Sequence, residues 1–470
     1  MAKTESKFKI DSIEVTGRKI SSFLNTEVKD YAKYVVETRS CPNIMDGLRP
    51  GARKIVWAAI TGELKTASKI KMPALIGQSM SLHYNHGDSS LMNTIVQLCS
   101  THVYKYAPLE VIGQIGSLRV PKCDTAPRYL HVRKSQYLDF FTTDKELLEQ
   151  LIDDGDKVEP KFFLPIIPIV LLWRTNSPGF GFSFRSFSYD LDAVIDNCIK
   201  AIMQGTCNSD IDEIPLKPNV DGIKPENMIY NGNKESWYNV GEYIMDTAND
   251  QLLVTDFPYD ISFEKFTDHC HTLVEKQYII SFDNLSMDGK ILYKLQFAKG
   301  RLALLSQDKW KFFTNVKLFS KVKKDTLNCI DQDGKTILYF ATPYDLIDNF
   351  VKKRLVFYQK RKTRTIEVVS KDIVTLTNKI KFIQLVTEDK LVIVKRPIAD
   401  IKADLDGHSL PHDMLKLNID KLTKEEIQKM LDEKLELVEY LEYIRITPIN
   451  EMYIEDLVKF KQKYCTIHKQ

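Results

Sequence analysis

The 470-residue chain holds only eight cysteines, scattered and never spaced as a Cys-x-x-Cys pair. Such spacing builds neither a disulfide framework nor a zinc ribbon. His269-Cys270-His271 comes nearest to a metal cluster, but consecutive residues on a strand point to opposite faces, so the three would not converge. Long apolar runs are missing too: the best candidate, FFLPIIPIVLLW at residues 162–173, is shorter than a membrane span and is interrupted by two prolines. The opening MAKTESKFK lacks a signal-peptide core. An intracellular protein that does not enter a membrane is expected. There is also no Gly-x-x-x-x-Gly-Lys phosphate loop and no glycine-rich nucleotide lid, so no ATP is expected to bind to this chain.

Charge is nearly balanced, with 66 Lys and Arg against 63 Asp and Glu, a formal net charge of +3. That balance argues neither for nor against nucleic acid, and distribution decides. Arg39, Arg49, Arg53, Lys54, Lys65, Lys69 and Lys71 fall in one segment opposed only by Asp46 and Glu63. From charge alone a solvated face is the usual reading of such a run, ahead of a phosphate track.

Residues 113–133, GQIGSLRVPKCDTAPRYLHVR, carry the chemistry. A phenol has a reference pKa of about 10 and needs positive charge beside it to attack phosphorus well. Arg128 adjoins Tyr129, and Arg119 and Lys122 precede it on a glycine-broken approach. Guanidinium groups supply charge that is never lost and would also stabilise the charge building on non-bridging oxygens in the transition state.

The order DGLRPGARK (46–54), HYNHGDSS (83–90), IGQIGSLR (112–119), APRY (126–129) and FFLPIIPIVLL (162–172) resembles the DNA-cleavage core of type IIA DNA topoisomerases. The resemblance runs from about residue 31 to about residue 178 and continues more loosely to the C-terminus. It implies that Tyr129 becomes joined to a DNA 5′ end, with Arg128, Arg53 and His86 as its catalytic neighbours. Arg39, Arg49, Lys54, Lys71 and Arg119 would bind the same DNA, and Asp46 would orient the basic pair Arg49 and Arg53. Two departures stand out in this region. Asn85 replaces the first histidine of the family's turn, which puts any imidazole role there in doubt, and His83 reads as an ordinary turn residue. Phe180 stands where the family inserts an isoleucine between base pairs; an aromatic wedge there would unstack a step and kink the duplex. Trp173 and Arg174 also depart from the family pattern, without an evident reason.

The resemblance and the periodicity together imply an α+β multidomain chain. Residues 1–30 form an N-terminal arm directed at a partner subunit. Residues 31–160 form a winged-helix (helix-turn-helix) cleavage domain carrying the tyrosine, with helices over MPALIGQSM and SLMNTIVQLCSTHVYKY and a β wing near residues 118–132. An acidic helix beginning near residue 146 is expected, followed by a buried strand at 162–172. Residues 161–340 form an α+β tower. Residues 341–470 form a long antiparallel coiled coil with a C-terminal dimer gate. Its seam is Ile366, Val369, Ile373, Leu376, Ile380 and Ile383, and a second helix starts at Thr423, capped through Glu426, and runs to about Ile446.

The family's glutamate-glycine-aspartate plus Asp-x-Asp cluster for Mg²⁺ is absent. The resemblance therefore implies a large topoisomerase subunit that carries the Mg²⁺ ligands and uses ATP. The present chain would be a homodimer on double-stranded DNA, in architecture like the A subunit of gyrase or topoisomerase IV without its wrapping domain. Its location would be the host cytoplasm if the chain is of phage origin. The competing reading is a winged-helix architectural DNA-binding protein that does not cleave.

Overall fold

The computed structural model describes residues 19–121, 125–177, 179, 182–209, 214–231, 236–287, 289–322, 325–388, 390–393, 396–416 and 424–465. Lys122, Phe180 and Thr423 lie outside the described residues, as does most of the expected N-terminal arm. The arm's described part is helical, with α1 (Ile20–Phe23) and α2 (Lys29–Val35) each followed by a π turn, at Leu24–Val28 and Val36–Ser40. Its apolar residues Ile20, Phe23, Leu24 and Tyr31 are exposed in the single chain.

Pro50 opens α3 (Pro50–Thr61), where a missing N–H costs nothing, and Ile55, Val56, Ala58 and Ala59 form its buried face. After β1 (Ile70–Lys71) come α4 (Met72–Met80) and α5 (Asp88–Cys99). β2 (Leu109–Ile112) and β3 (His131–Lys134) complete an antiparallel sheet in the order β1-β3-β2. Three helices and a small sheet make the expected winged-helix shape, but α5 stops at Cys99 rather than near Tyr106.

The acidic helix expected from residue 146 is instead a hairpin, β4 (Gln150–Asp153) and β5 (Asp156–Pro160). Asp154 and Gly155 both adopt positive φ, +47° and +88°, and an Asp-Gly pair is the residue choice a two-residue hairpin turn favours. Nor is 162–172 a strand. Pro165 and Pro168 remove the N–H groups a ladder needs, so the segment runs as buried irregular chain ending in one 3₁₀ turn, Ile169–Leu171. The hairpin β6 (Thr175–Ser177) and β7 (Phe184–Ser186) and the helix α6 (Leu191–Gln204) follow.

The next stretch comprises β8 (Met228–Asn231), β9 (Ser236–Val240), β10 (Tyr243–Asp246) and β11 (Gln251–Val254). It continues with α7 (Phe263–Glu275), β12 (Ser281–Asn284), β13 (Tyr293–Gln296), α8 (Arg301–Leu305), α9 (Lys309–Asn315) and β14 (Phe319–Lys321). The sheets β10-β11-β13-β12 and β14-β9-β8 surround a second apolar core that includes Leu252, Phe266, Leu295 and Phe312. His269, Cys270 and His271 sit on α7, not on a strand. His269 Nε2 meets the Asn315 carbonyl at 2.7 Å, and no cluster of three potential ligands occurs among the described residues.

The hairpin β15 (Leu327–Ile330) and β16 (Ile337–Phe340) leads into α10 (Pro343–Thr387), whose Thr342 and Asp345 form a reciprocal capping box. Its 45 residues extend about 68 Å at 1.5 Å each. Val369, Leu376, Ile380 and Ile383 are buried along it. The remaining helices are α11 (Ile398–Gly407), α12 (Lys424–Ile446) and α13 (Ile449–Cys465). α12 runs antiparallel to α10: Met430 shares a small tip core with Ile380 and Ile383, while Lys362 binds the Arg445 and Thr447 carbonyls at the far end.

Two packing facts differ from the expected domain limits. Phe163, Leu164, Leu172, Phe184, Leu191, Val194 and Ile202 lie in the same core as α3, α4 and α5, so no break in packing falls at residue 161. Beyond Pro448, α13 turns back, and Met452, Tyr453, Leu457 and Tyr464 enter that first core instead of extending the gate. Among the described residues no helix is long and apolar enough to cross a membrane.

Candidate active site

Tyr129 ends a 3₁₀ turn, Pro127–Tyr129, that leads directly into β3. The turn is anchored on both sides of the tyrosine. Its amide bonds to the Ala126 carbonyl, while the carbonyl of the buried Leu130 accepts from the Met72 amide at 3.0 Å. Leu130 also fills the space beside Gly113 (φ +130°), where a Cβ would come within 2.5 Å of its side chain. Tyr129 is 65 % exposed. A rigid seat with a solvent-facing side chain is the geometry a nucleophile needs. The Arg128 guanidinium carbon lies 5.0 Å from the Tyr129 ring centroid, and Lys71 pairs across the sheet with His131, two residues on. The sequence motifs do not single out His131; alternation along β3 would have placed it on the same edge as the tyrosine turn.

A second basic feature lies elsewhere on the winged helix. Tyr34, Arg39, Arg49, Tyr84, Asn85 and His86 line a cleft of about 610 Å³. Arg49 donates to the Arg39 carbonyl at 3.3 Å, and the Arg39 guanidinium lies over the Tyr34 ring at 5.6 Å. Tyr84 stacks edge-on against His86 at 5.3 Å and bonds to Ser90. His86, Arg39 and Lys71 are exposed, and Arg49 is half-buried. Neither Tyr129 nor Arg128 lines this cleft. One chain therefore carries an exposed tyrosine and a basic cleft that do not share a cavity.

Several residues expected at the site are internal instead. Asp46 is 0 % exposed, and its carboxylate accepts from Arg53 Nε at 2.7 Å and Nη2 at 3.1 Å, from the Leu48 amide at 2.9 Å and from the Phe163 amide at 3.0 Å. Arg53 also bonds the Leu48 carbonyl and is buried, so it braces the loop that carries Arg49 and does not reach into the cleft. Asp46 orients Arg53 alone. Lys54 lines the cleft, but its ammonium is held by Glu159 at 2.7 Å and by the Leu82 carbonyl. His83, at φ +58°, pairs with Asp156 at 3.2 Å.

Arg119 is engaged away from the tyrosine. It donates to Asp256 at 2.6 Å and to the Pro258, Phe257 and Ile261 carbonyls, pinning the approach strap to the second core. Burial lowers its pKa despite the carboxylate, and burial raises that of Asp256 despite the guanidinium. Desolvation opposes the pair from both sides, which its many hydrogen bonds offset. The departures Trp173 and Arg174 now have a place: Trp173 packs edge-on against Tyr104 at 4.4 Å within the first core, and Arg174 lies over Tyr259 of that same core at 5.4 Å.

A solvent-facing tyrosine on a winged helix, with a second α+β core and a long helical pair, defines a multidomain α+β scaffold. A solved Plasmodium falciparum structure, described as the topoisomerase II DNA-binding, cleavage and re-ligation domain, has the same fold, with a TM-score of 0.80 at 24 % identity over 95 % of this chain and 65 % of that one. The family of the DNA gyrase/topoisomerase IV A subunit matches residues 39–461, and the chain belongs to it. It is 28 % identical to DNA topoisomerase 2 of Plasmodium falciparum over 87 % of this chain and 29 % of that protein, so it spans under a third of that relative's length. It is 25 % identical to the DNA topoisomerase medium subunit of Enterobacteria phage T4 over 96 % of this chain and the whole of that protein.

Proposed function

We propose that the chain is the DNA-breakage-and-rejoining subunit of a type IIA DNA topoisomerase. The observation that carries this reading is Tyr129, exposed on an anchored turn with Arg128 against its ring. In the proposed step the Tyr129 oxygen loses its proton and bonds to backbone phosphorus. The bond from phosphorus to the 3′ oxygen breaks and that oxygen takes a proton, leaving the 5′ phosphate on the tyrosine. The reverse attack reseals the strand, and no nucleotide is consumed because the phosphotyrosine keeps the bond energy.

Because the basic cleft and the tyrosine lie apart in one chain, the complete site is read as composite, with Arg39, Arg49 and His86 of one copy facing Tyr129 and Arg128 of the other. Two such sites cut both strands of one duplex so that a second passes. The exposed residues Leu435, Val438, Tyr440 and Tyr443 of α12 fit a homodimer through the helical gate. By the family resemblance, the Mg²⁺ ligands and the use of ATP are assigned to a large partner subunit, and no step here is routed through either. The setting is intracellular, the host cytoplasm if the chain is of phage origin.

The test is denaturing capture of protein on supercoiled DNA, with and without a partner supplying Mg²⁺ ligands. Wild type should yield covalent adducts and Tyr129→Phe none. Adducts from Tyr129→Phe would refute the nucleophile. Salt-dependent binding with no adduct under any condition would favour the architectural alternative.

A further inference from the structure

The four residues 163–166 are gripped from two directions. From the side of the basic cleft, Asp46 accepts the Phe163 amide while also holding Arg53 and the Leu48 amide of the loop that carries Arg49. From the side of the helical gate, Arg354 of α10 donates Nε to the Pro165 carbonyl at 3.1 Å, and the Tyr453 hydroxyl of α13 donates to the Ile166 carbonyl at 2.6 Å.

The gate-side grip belongs to a polar junction around Arg354, whose Nη1 makes no hydrogen bond. Arg354 is 0 % exposed and pairs through Nη2 with Asp144, whose other oxygen is reached by Arg361 at 3.5 Å. Arg361 pairs in turn with Asp456 of α13 at 2.7 Å, and Tyr358 donates to the same carboxylate at 2.9 Å. Both guanidinium carbons lie 4.7 Å from the Tyr358 ring centroid, and Tyr358 stacks on Tyr453 at 4.4 Å. Two cations and two anions balance. Burial keeps the Tyr358 phenol protonated and hence a donor. Such a junction has few alternative arrangements, because displacing any member leaves a buried charge without its partner. Asp144 itself sits at φ +51°, a conformation its neighbours must hold in place.

We propose that Arg354 and Tyr453 are positioning residues: through the extended strip 163–166 they set the loop that carries Arg49, so that the seating of the helical gate on the core governs how well the cleft is formed. The inference rests on the cleavage reading only for its functional arm. Its physical content is that two grips share one short, ladder-free strip whose Pro165 limits how it can yield.

The test uses the full chain with Arg354→Met, which removes the charge and both donors, and Tyr453→Phe, which removes one hydroxyl. Backbone amide exchange is read at Phe163 and Leu48, with the β11 and β13 amides of Leu252 and Leu295 as internal controls. Exchange at Phe163 and Leu48 should quicken about tenfold in both variants while the controls hold. In adduct capture, the yield per bound DNA should fall about fivefold.

A merely structural role would lower melting temperature without selective exchange at those two amides, and that outcome overturns the proposal. Unchanged adduct yield alongside faster exchange overturns it equally. If Arg354→Met does not fold, Tyr453→Phe decides. If wild type forms no adduct, the cleavage reading fails and the exchange arm alone decides this one.

Discussion

Breaking the Asp46–Arg53 pair separates a structural Arg53 from a catalytic one. Both side chains are buried, and together they make the four hydrogen bonds of the Asp46 carboxylate and one to the Leu48 carbonyl. Removing one member of such a pair leaves the other charge dry and unmatched, at about 3–5 kcal/mol. Arg53→Met and Asp46→Asn should each fall in that range. The double variant should lose about 2–3 kcal/mol less than the sum, because neither stranded charge then exists. The chain has several separate apolar cores, so a single unfolding free energy is not defined for the whole of it, and a local probe is needed. Trp57 lies 6.2 Å from Phe163 between ring centroids and reports this region in urea titrations followed by fluorescence. An Arg53→Met chain that unfolds with the wild-type Trp57 transition yet forms no adduct would refute the assignment and return Arg53 to the chemistry.

Arg119→Ala should cost about 2–4 kcal/mol by stranding Asp256 and three carbonyls, and should loosen the second core from the winged helix, measurable as proteolysis near the strap. Asp325 is half-buried, and burial raises its pKa from 3.8 to about 6 against the Tyr189 and Phe187 hydrogen bonds. Because the folded value is raised, its contribution is fully present below about pH 4 and is lost as pH rises through about 6; Asp325→Asn should flatten the melting-temperature profile across that window. Gly47→Ala should destabilise the Asp46 loop by more than about 1 kcal/mol, since φ is +68° and the new Cβ would lie 2.8 Å from the Val170 nitrogen; equal melting temperatures would contradict this.

The helices were legible wherever apolar spacing and a start signal coincided. Pro50 for α3 and Pro73 for α4 mark real beginnings, whereas α10 was read from its apolar seam alone and its Thr342 to Asp345 box went unread. Failures came from single residues outweighing a pattern. Pro165 and Pro168 removed ladder donors from a run that otherwise reads as strand, and Asp154-Gly155 bent an acidic stretch into a hairpin. The pairing of Arg128 with Tyr129 was legible because it is local to the chain: a phenol, its neighbouring arginine and a turn. The ion pairs of Lys54 and Arg119 were not, since a basic residue looks the same in sequence whether it meets a phosphate or a carboxylate 105 to 137 positions away, as with Glu159 and Asp256. His83 was legible as a turn residue, and its positive φ agrees.

Tyr129 and the cleft of Arg39, Arg49 and His86 occupy separate places in one chain. On the proposed reading, scission then depends on assembly: a lone copy can touch a chromosome without harming it, and dilution or loss of the twofold contact disarms the scissors before any strand is severed. The hazard of a lingering nick is thus tied to a state in which both ends remain held.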